Sequence, residues 1–182
     1  EVFDARFGLD SRHCIVLGIE SIKGVLNIDE IAAAHPRAKA LFFGAEDLAT
    51  ELGAQRTRSG LEVIYARQRV LMAAKAAGIA AIDQAVTEFR DDELFQEDCR
   101  LGRSFGYEGK ICLNPRQAAL ANDLFLPSAN EIDRARRLLS AFEASEAQGL
   151  GAISFEDQMV DEPLVRRARA IVALAEKAGR AP

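Results

Sequence analysis

The sequence predicts an α/β fold built on a parallel sheet. Two observations carry this. Short apolar runs recur at residues 14–19, 38–43, 78–82 and 110–113, and none alternates strictly between apolar and polar side chains. Continuous runs of that length fit strands covered on both faces, as in a parallel sheet. Stretches of helical period separate the runs, and each connection is long enough for a right-handed crossover.

Taken in order, the elements read as follows. The first run, Cys14-Ile-Val-Leu-Gly-Ile19, is an unbroken apolar stretch of six residues. It is far shorter than the roughly 20 residues of a membrane-spanning helix. Asn27 is placed to cap a short helix whose Ile28, Ile31 and Ala32 share one face. The second run closes at Gly44. Residues 61–77 carry Ile64, Val70, Leu71 and Ala74 near helical spacing, and Gly78 stops them. Residues 91–105 repeat the pattern with Leu94, Phe95, Cys99 and Leu101, ended by Gly106.

After the fourth run the pattern changes. Residues 115–124 suggest one short helix. Ser128-Ala-Asn-Glu131 has capping-box spacing ahead of Ile132, Ala135, Leu138 and Leu139, in a helix expected to reach about Ala147. A Gly149-Leu-Gly151 turn, a short piece at 152–155 and a last helix from about Pro163 to Ala178 complete the chain. Residues 1–125 thus form the strand–helix part and 126–182 a helical extension. Four strand–helix units cannot close a barrel alone, which takes eight and about 250 residues. An open four-stranded sheet and the back half of a barrel both fit, and a start without an initiator Met agrees with the latter.

Composition narrows the function. Apolar residues make up 49% of the chain, enough for a packed core. A net charge of −5 gives no broad cationic face for a nucleic-acid backbone. Cys14, Cys99 and Cys112 have no close spacing and read as reduced core thiols of a reducing, cytoplasmic compartment. The leading Glu-Val-Phe-Asp-Ala-Arg has no basic cap and apolar stretch of a signal peptide.

In parallel α/β proteins the chemistry sits beyond the carboxyl ends of the strands. Glu20 directly follows the first strand, and Asp47 lies four residues after Phe43, in Gly44-Ala-Glu46-Asp47-Leu48. If these strands are neighbours, their tips are about 5 Å apart, and both carboxylates can reach one ion. Few protein ligands, all oxygen, with retained waters is the habit of Mg²⁺. Helix capping is the competing role for both, and Glu46 competes with Asp47 as ligand. Asp83 and Asn114-Pro115 follow the third and fourth strands on the same rim, where capping or loop stiffening competes with catalysis. Lys110 opens its strand and should point to the opposite face. Arg56-Thr57-Arg58 is a basic cluster that suits either phosphates or a solvated loop. His13 and His35 lie off the rim, which removes Ser-His-Asp and Cys-His chemistry. No dinucleotide fingerprint or Walker lysine is present. Asp161, in Gln158-Met-Val-Asp161-Glu-Pro163, is placed to cap the last helix.

Several segments together resemble a known family: Leu17-Gly-Ile-Glu20-Ser-Ile-Lys-Gly24-Val-Leu-Asn27, Phe43-Gly-Ala-Glu-Asp47-Leu-Ala, Glu51-Leu-Gly-Ala-Gln-Arg56-Thr57, Ala81-Ile-Asp83, Phe105-Gly-Tyr-Glu-Gly-Lys110-Ile-Cys-Leu-Asn114-Pro115 and Met159-Val-Asp161-Glu-Pro163. Their order and spacing resemble the back part of citrate lyase beta-subunit-like proteins, within the HpcH/HpaI aldolases and malyl-CoA lyases. The resemblance implies the last four strands of a (β/α)₈ TIM barrel, with a helical C-terminal extension at 126–182 reaching a neighbouring subunit. It implies that the front four strands, which carry a substrate-holding arginine, have no counterpart here. It further implies Mg²⁺ held by Glu20 and Asp47, with Asp161 catalytic. The implied reaction is carbon–carbon cleavage of a 3-hydroxyacyl thioester (citryl-, malyl- or citramalyl-type) into a keto acid and an acetyl-type thioester. The carrier would be coenzyme A or an acyl-carrier protein, and the assembly a homo-oligomer, trimer or hexamer, or part of a lyase complex. A thioesterase and a non-catalytic complex subunit are the alternatives. The chain departs from the family at Ser21 (commonly Thr), at Asn114 (commonly His) and at Glu156-Asp157-Gln158-Met159 (often Asp-Gly-Lys-Met).

Overall fold

The computed structural model describes residues 13–146 and 151–179. The chain divides into two compact units, Glu1–Phe125 and Leu126–Pro182.

The first unit is a four-stranded sheet with strand order β1-β2-β3-β4, formed by β1 (Ile15–Ile19), β2 (Ala38–Phe43), β3 (Ala80–Asp83) and β4 (Gly109–Lys110). All three pairings are parallel, so every connection is a crossover that returns the chain to the same end of the sheet. Those crossovers hold α1 (Ile22–Leu26), α2 (Ile28–Ala33), α3 (Ala45–Leu52), a 3₁₀ turn (Leu61–Val63), α4 (Ile64–Ala76) and α5 (Asp92–Phe105); α6 (Pro115–Phe125) follows β4. The core lies between sheet and helices, where Ile19, Leu41, Phe43 and Ala81 meet Ile28, Val70 and Ala74.

The structure departs from the sequence reading in four ways. First, β1 is covered on one face only. Its burial alternates, and Val16 is 56% exposed. Second, α3 starts directly after Gly44 and is not marked by a long apolar stripe. It has only Ala45, Leu48 and Ala49 buried, which is too short a pattern to register at helical period. Third, β4 ends at Lys110, because the Leu113 N–H donates to Gln117 Oε1 at 2.7 Å instead of to a neighbouring strand. Fourth, Cys14 is exposed and so is no core thiol, whereas Cys112 is half-buried. Cys99 is buried beside Val86, Phe95 and Ala121, and burial pushes its thiol up to about 12. Cys99 and Cys112 are free thiols.

The second unit holds α7 (Ala129–Glu146), a hairpin of β5 (Ile153–Phe155) and β6 (Gln158–Val160), and α8 (Glu162–Lys177). Ser128 begins α7 with the reciprocal bonds of a capping box. Its Oγ accepts from the Glu131 N–H at 3.2 Å, and the Glu131 carboxylate accepts from the Ser128 N–H at 2.8 Å. Leu138, Phe142, Val160, Val165 and Ala168 form this unit's core. The expected helix end near Ala147 and the Gly149 turn lie outside the described residues. Residues 152–155 become the first strand of the hairpin, whose two-residue loop holds Glu156 and Asp157 at φ 50° and 60°. Such a turn favours glycine. Here Glu156 is held instead by ion pairs to Arg134 at 2.7 Å and Arg137 at 2.9 Å.

Among the described residues, no helix is long and apolar enough to cross a membrane.

Candidate functional site

Register brings the two predicted carboxylates together. Ile19 of β1 pairs with Phe43 of β2, so Glu20 and Gly44 leave the sheet side by side. The Gly44 N–H donates to the Ile19 carbonyl at 3.0 Å, which extends the ladder to the strand tips. The Glu20 side chain then lies across Gly44. A Cβ at position 44 would stand 2.3 Å from Glu20 Cγ, and one at Gly18 would meet the Phe42 ring at 2.5 Å as well as Glu20 Oε1 at 2.9 Å. Two glycines therefore make the space that the carboxylate occupies, because any side chain there would push it out.

Asp47 sits in the first turn of α3, two residues into the helix that Gly44 begins. The helix N-terminus favours an anion there. Two capping devices fix the surroundings. Ser21 Oγ accepts from the Gly24 N–H at 3.1 Å, so serine performs the N-cap role of a threonine. The Ile22 N–H donates to Glu51 Oε2 at 2.7 Å and ties α1 to α3.

The electrostatics of the pair follow from this geometry. Burial raises the Glu20 carboxyl above its ordinary value, and hydrogen bonding and charge from Asp47 raise it further. Two like charges this close repel each other. A divalent cation relieves that repulsion. Among the described residues, no group of three or more His, Cys, Asp or Glu gathers where it could hold a metal ion. A two-carboxylate donor set fits Mg²⁺, which keeps several waters and binds through one or two carboxylates plus substrate oxygens.

Glu46 is turned to other work. Its Oε1 accepts from Arg56 Nε at 2.9 Å. Arg58 is also engaged, with Glu97 at 2.8 Å and Asp91 at 3.6 Å, so this basic cluster is neutralised within the fold. A cavity of about 290 Å³ is lined by residues that follow β2 and β3, among them Glu46, Arg56, Thr57, Gln84 and Asp98.

Two rim positions prove to be structural. Asp83 is fully buried and faces Arg67 rather than the rim, with Arg67 Nε donating to its Oδ1 at 2.8 Å. Lys110 is buried with it, in contact with Asp83 and Asp98. Asn114 pins the loop after β3. Its Nδ2 donates to the Phe89 carbonyl at 3.4 Å, and its Oδ1 accepts from the Gln117 N–H at 2.9 Å. Gln117, itself buried, donates to the Val86 carbonyl at 3.3 Å. Sequence patterning carries no signal for Gln84 or Gln117, because their roles depend on Arg56 and on the Val86 carbonyl, 28 and 31 residues away.

In the second unit, Asp161 occupies the N-cap position of α8 in extended backbone geometry. Its main-chain carbonyl accepts from the Leu164 N–H at 3.0 Å and the Val165 N–H at 3.1 Å. Its carboxylate makes no capping hydrogen bond, and Pro163 stands in the first turn. The side chain is half-buried. The capping role that the sequence suggests is therefore filled by the backbone alone.

Comparison with known proteins gives these geometries a family. Residues 6–115 match the HpcH/HpaI aldolase/citrate lyase family. A citrate lyase subunit beta-like protein of Deinococcus radiodurans is 46% identical over 159 residues, covering 87% of this chain and 56% of that protein. A (3S)-malyl-CoA thioesterase of Cereibacter sphaeroides is 37% identical over 158 residues, covering 87% and 55%. Among solved structures, CitE from Mycobacterium tuberculosis in complex with magnesium, acetoacetate and coenzyme A aligns with a TM-score of 0.78 at 30% identity. That alignment covers 93% of this chain and 63% of the other. The chain spans about half the length of the curated relatives it matches.

Proposed function

Because the chain belongs to the HpcH/HpaI aldolase/citrate lyase family, we propose that it carries the metal-binding and acid–base groups of an Mg²⁺-dependent carbon–carbon lyase acting on 3-hydroxyacyl thioesters. The observation that supports this most is the pairing of Glu20 and Asp47 at adjacent strand tips over a glycine cradle. In this reading the first unit is four consecutive strands of a (β/α)₈ barrel. Among the described residues β1 pairs with β2 alone, and such an edge can take a further strand. The second unit is an extension that brings Asp161 to the site of a neighbouring subunit in a homo-oligomer.

Glu20 and Asp47 would hold the cation, leaving its remaining positions to water and to substrate oxygens. Mg²⁺ bound there would favour negative charge on oxygen as the carbon–carbon bond breaks. Gly18 and Gly44 keep Glu20 in place by leaving it room. The substrate hydroxyl gives up its proton to solvent, its carbon becomes the carbonyl of a keto acid, and the electron pair of the broken carbon–carbon bond passes to the thioester enolate. Asp161 delivers a proton to the enolate α-carbon, and in the condensation direction the same carboxylate removes it. The thioester makes that carbon acidic enough for an aspartate to serve. Coenzyme A and an acyl-carrier protein both present such a thioester.

A second reading, thioester hydrolysis, is favoured by the malyl-CoA thioesterase relative. The two differ in product. Incubation of the complete gene product with citryl, malyl and citramalyl thioesters, with and without Mg²⁺, is expected to release keto acid only when Mg²⁺ is present. Release of free hydroxy acid without keto acid supports the hydrolase instead, and no turnover of any thioester contradicts both.

A further inference from the structure

Arg56 is a three-way fork. Its Nε donates to Glu46 Oε1 at 2.9 Å, in α3. Its Nη1 contacts Glu62 Oε1, in the 3₁₀ turn, and its Nη2 donates to Gln84 Oε1 at 3.2 Å, just past β3. Two of its three partners, Glu62 and Gln84, are themselves anchored. Glu62 also accepts from Thr57 Oγ1 at 2.7 Å and the Thr57 N–H at 3.2 Å. Burial works against the Glu62 charge, but the Thr57 and backbone hydrogen bonds and Arg56 outweigh it and hold its carboxyl below the usual range. Gln84 is buried and donates to Asp98 at 3.2 Å and 3.3 Å, which joins the fork to the buried ion pairs behind the sheet. Only an arginine can make three such bonds in fixed directions, since a lysine offers a single point charge.

The consequence lies at the head of α3. Glu46 and Asp47 are neighbours in the same first turn. One is held by Arg56, and the other interacts with Glu20. The geometry points to Arg56 as a positioning residue that keeps Glu46 off the Glu20–Asp47 pair and so limits the cation to two carboxylates. This rests on the reading of Glu20 and Asp47 as the metal-holding pair. Two carboxylates suit Mg²⁺, which retains waters and takes substrate oxygens in their place. A third would occupy a position the substrate needs and would favour Ca²⁺, which takes six to eight oxygens in flexible geometry.

The test is the ratio of Mg²⁺ to Ca²⁺ affinity, measured by calorimetry on the full chain, on Arg56→Met, on Glu46→Gln and on the double variant. Loss of the arginine charge alone tightens both cations together, so the ratio isolates the freed carboxylate. In Arg56→Met the ratio is expected to move toward Ca²⁺ by about fivefold or more, and Glu46→Gln in that background to restore it. Glu46→Gln alone should leave the ratio near that of the parent. Should Arg56→Met fail to fold in a thermal melt, Arg56→Gln, which keeps an amide donor, carries the same comparison. A parent that binds Mg²⁺ with an unshifted ratio in the arginine variant, or a shift that persists in the double variant, overturns this inference alone. A parent that binds neither cation overturns it together with the metal reading.

Discussion

Replacement of Asp83 by alanine is expected to destabilise the first unit by about 3–5 kcal/mol, read as a lower denaturant midpoint. Asp83 is 0% exposed and Arg67 1%. Between them run a bond of 2.8 Å from Nε and a second from Nη2 to the other carboxylate oxygen. Arg67 Nη1 reaches Asp98 at 3.0 Å, and Lys110 contacts both acids. Two cations thus face two anions, and removal of one acid leaves a buried positive charge uncompensated. The space is closed as well. The Arg67 carbonyl accepts from Tyr107 Oη at 2.6 Å, and a Cβ at Gly102 would stand 2.2 Å from Asp83 Oδ2.

Removing partners together should cost less than the sum of the single changes, because apolar replacement of a whole buried pair is often neutral. A double variant Arg67→Met/Asp83→Leu that is more stable than Asp83→Ala would show this. The network also sets an acid limit. Burial opposes the Asp98 charge, but Lys110 and Arg67 outweigh that and lower its carboxyl. A depressed folded value gives stability that is present above the ordinary aspartate range, near 3.9, and fades as pH falls toward the lowered one. Parent stability should therefore decline with acidification in that window.

Asp161→Asn is expected to reduce the rate of the chemical step by about 10²–10⁴, the usual contribution of a general acid or base. The substitution separates two roles cleanly. Asparagine is as good an N-cap as aspartate, and the backbone already caps α8 without the carboxylate. The fold should be unchanged by thermal melt. Single-turnover kinetics with a thioester substrate would read the loss directly. An unaltered rate would mean that Asp161 takes no part in proton transfer.

Most of the first unit's strand–helix order was legible because its signals are local. The apolar run at 38–43 coincides with β2, and Asp91 caps α5 where the pattern begins, its Oδ1 accepting from the Leu94 N–H at 2.9 Å. Strand type pointed to a parallel sheet but left open whether β1 and β2 are neighbours; the structure pairs them, and their register carries Glu20 toward Asp47. What was hidden depends on distant partners. No local signal distinguishes Asp83 on a rim from Asp83 in a buried ion pair, since Arg67 lies on another element. The choice between Glu46 and Asp47 rests on Arg56, ten residues from Glu46. The β5–β6 hairpin was half hidden because Glu156-Asp157 lacks the glycine that normally announces such a turn. Asn114, whose amide cannot titrate as a histidine would, takes the loop-stiffening role its position allowed, with both ends of the amide bonded to backbone groups.

The shared cation is the point on which the chemistry turns, and Mn²⁺ reads it without substrate. Titration of the full chain, followed by loss of the free-ion paramagnetic resonance signal, should show one saturable site that Mg²⁺ competes for. Glu20→Gln and Asp47→Asn should each weaken it by about tenfold or more. Binding that survives both substitutions, or a parent that leaves the Mn²⁺ signal unchanged, would contradict the account.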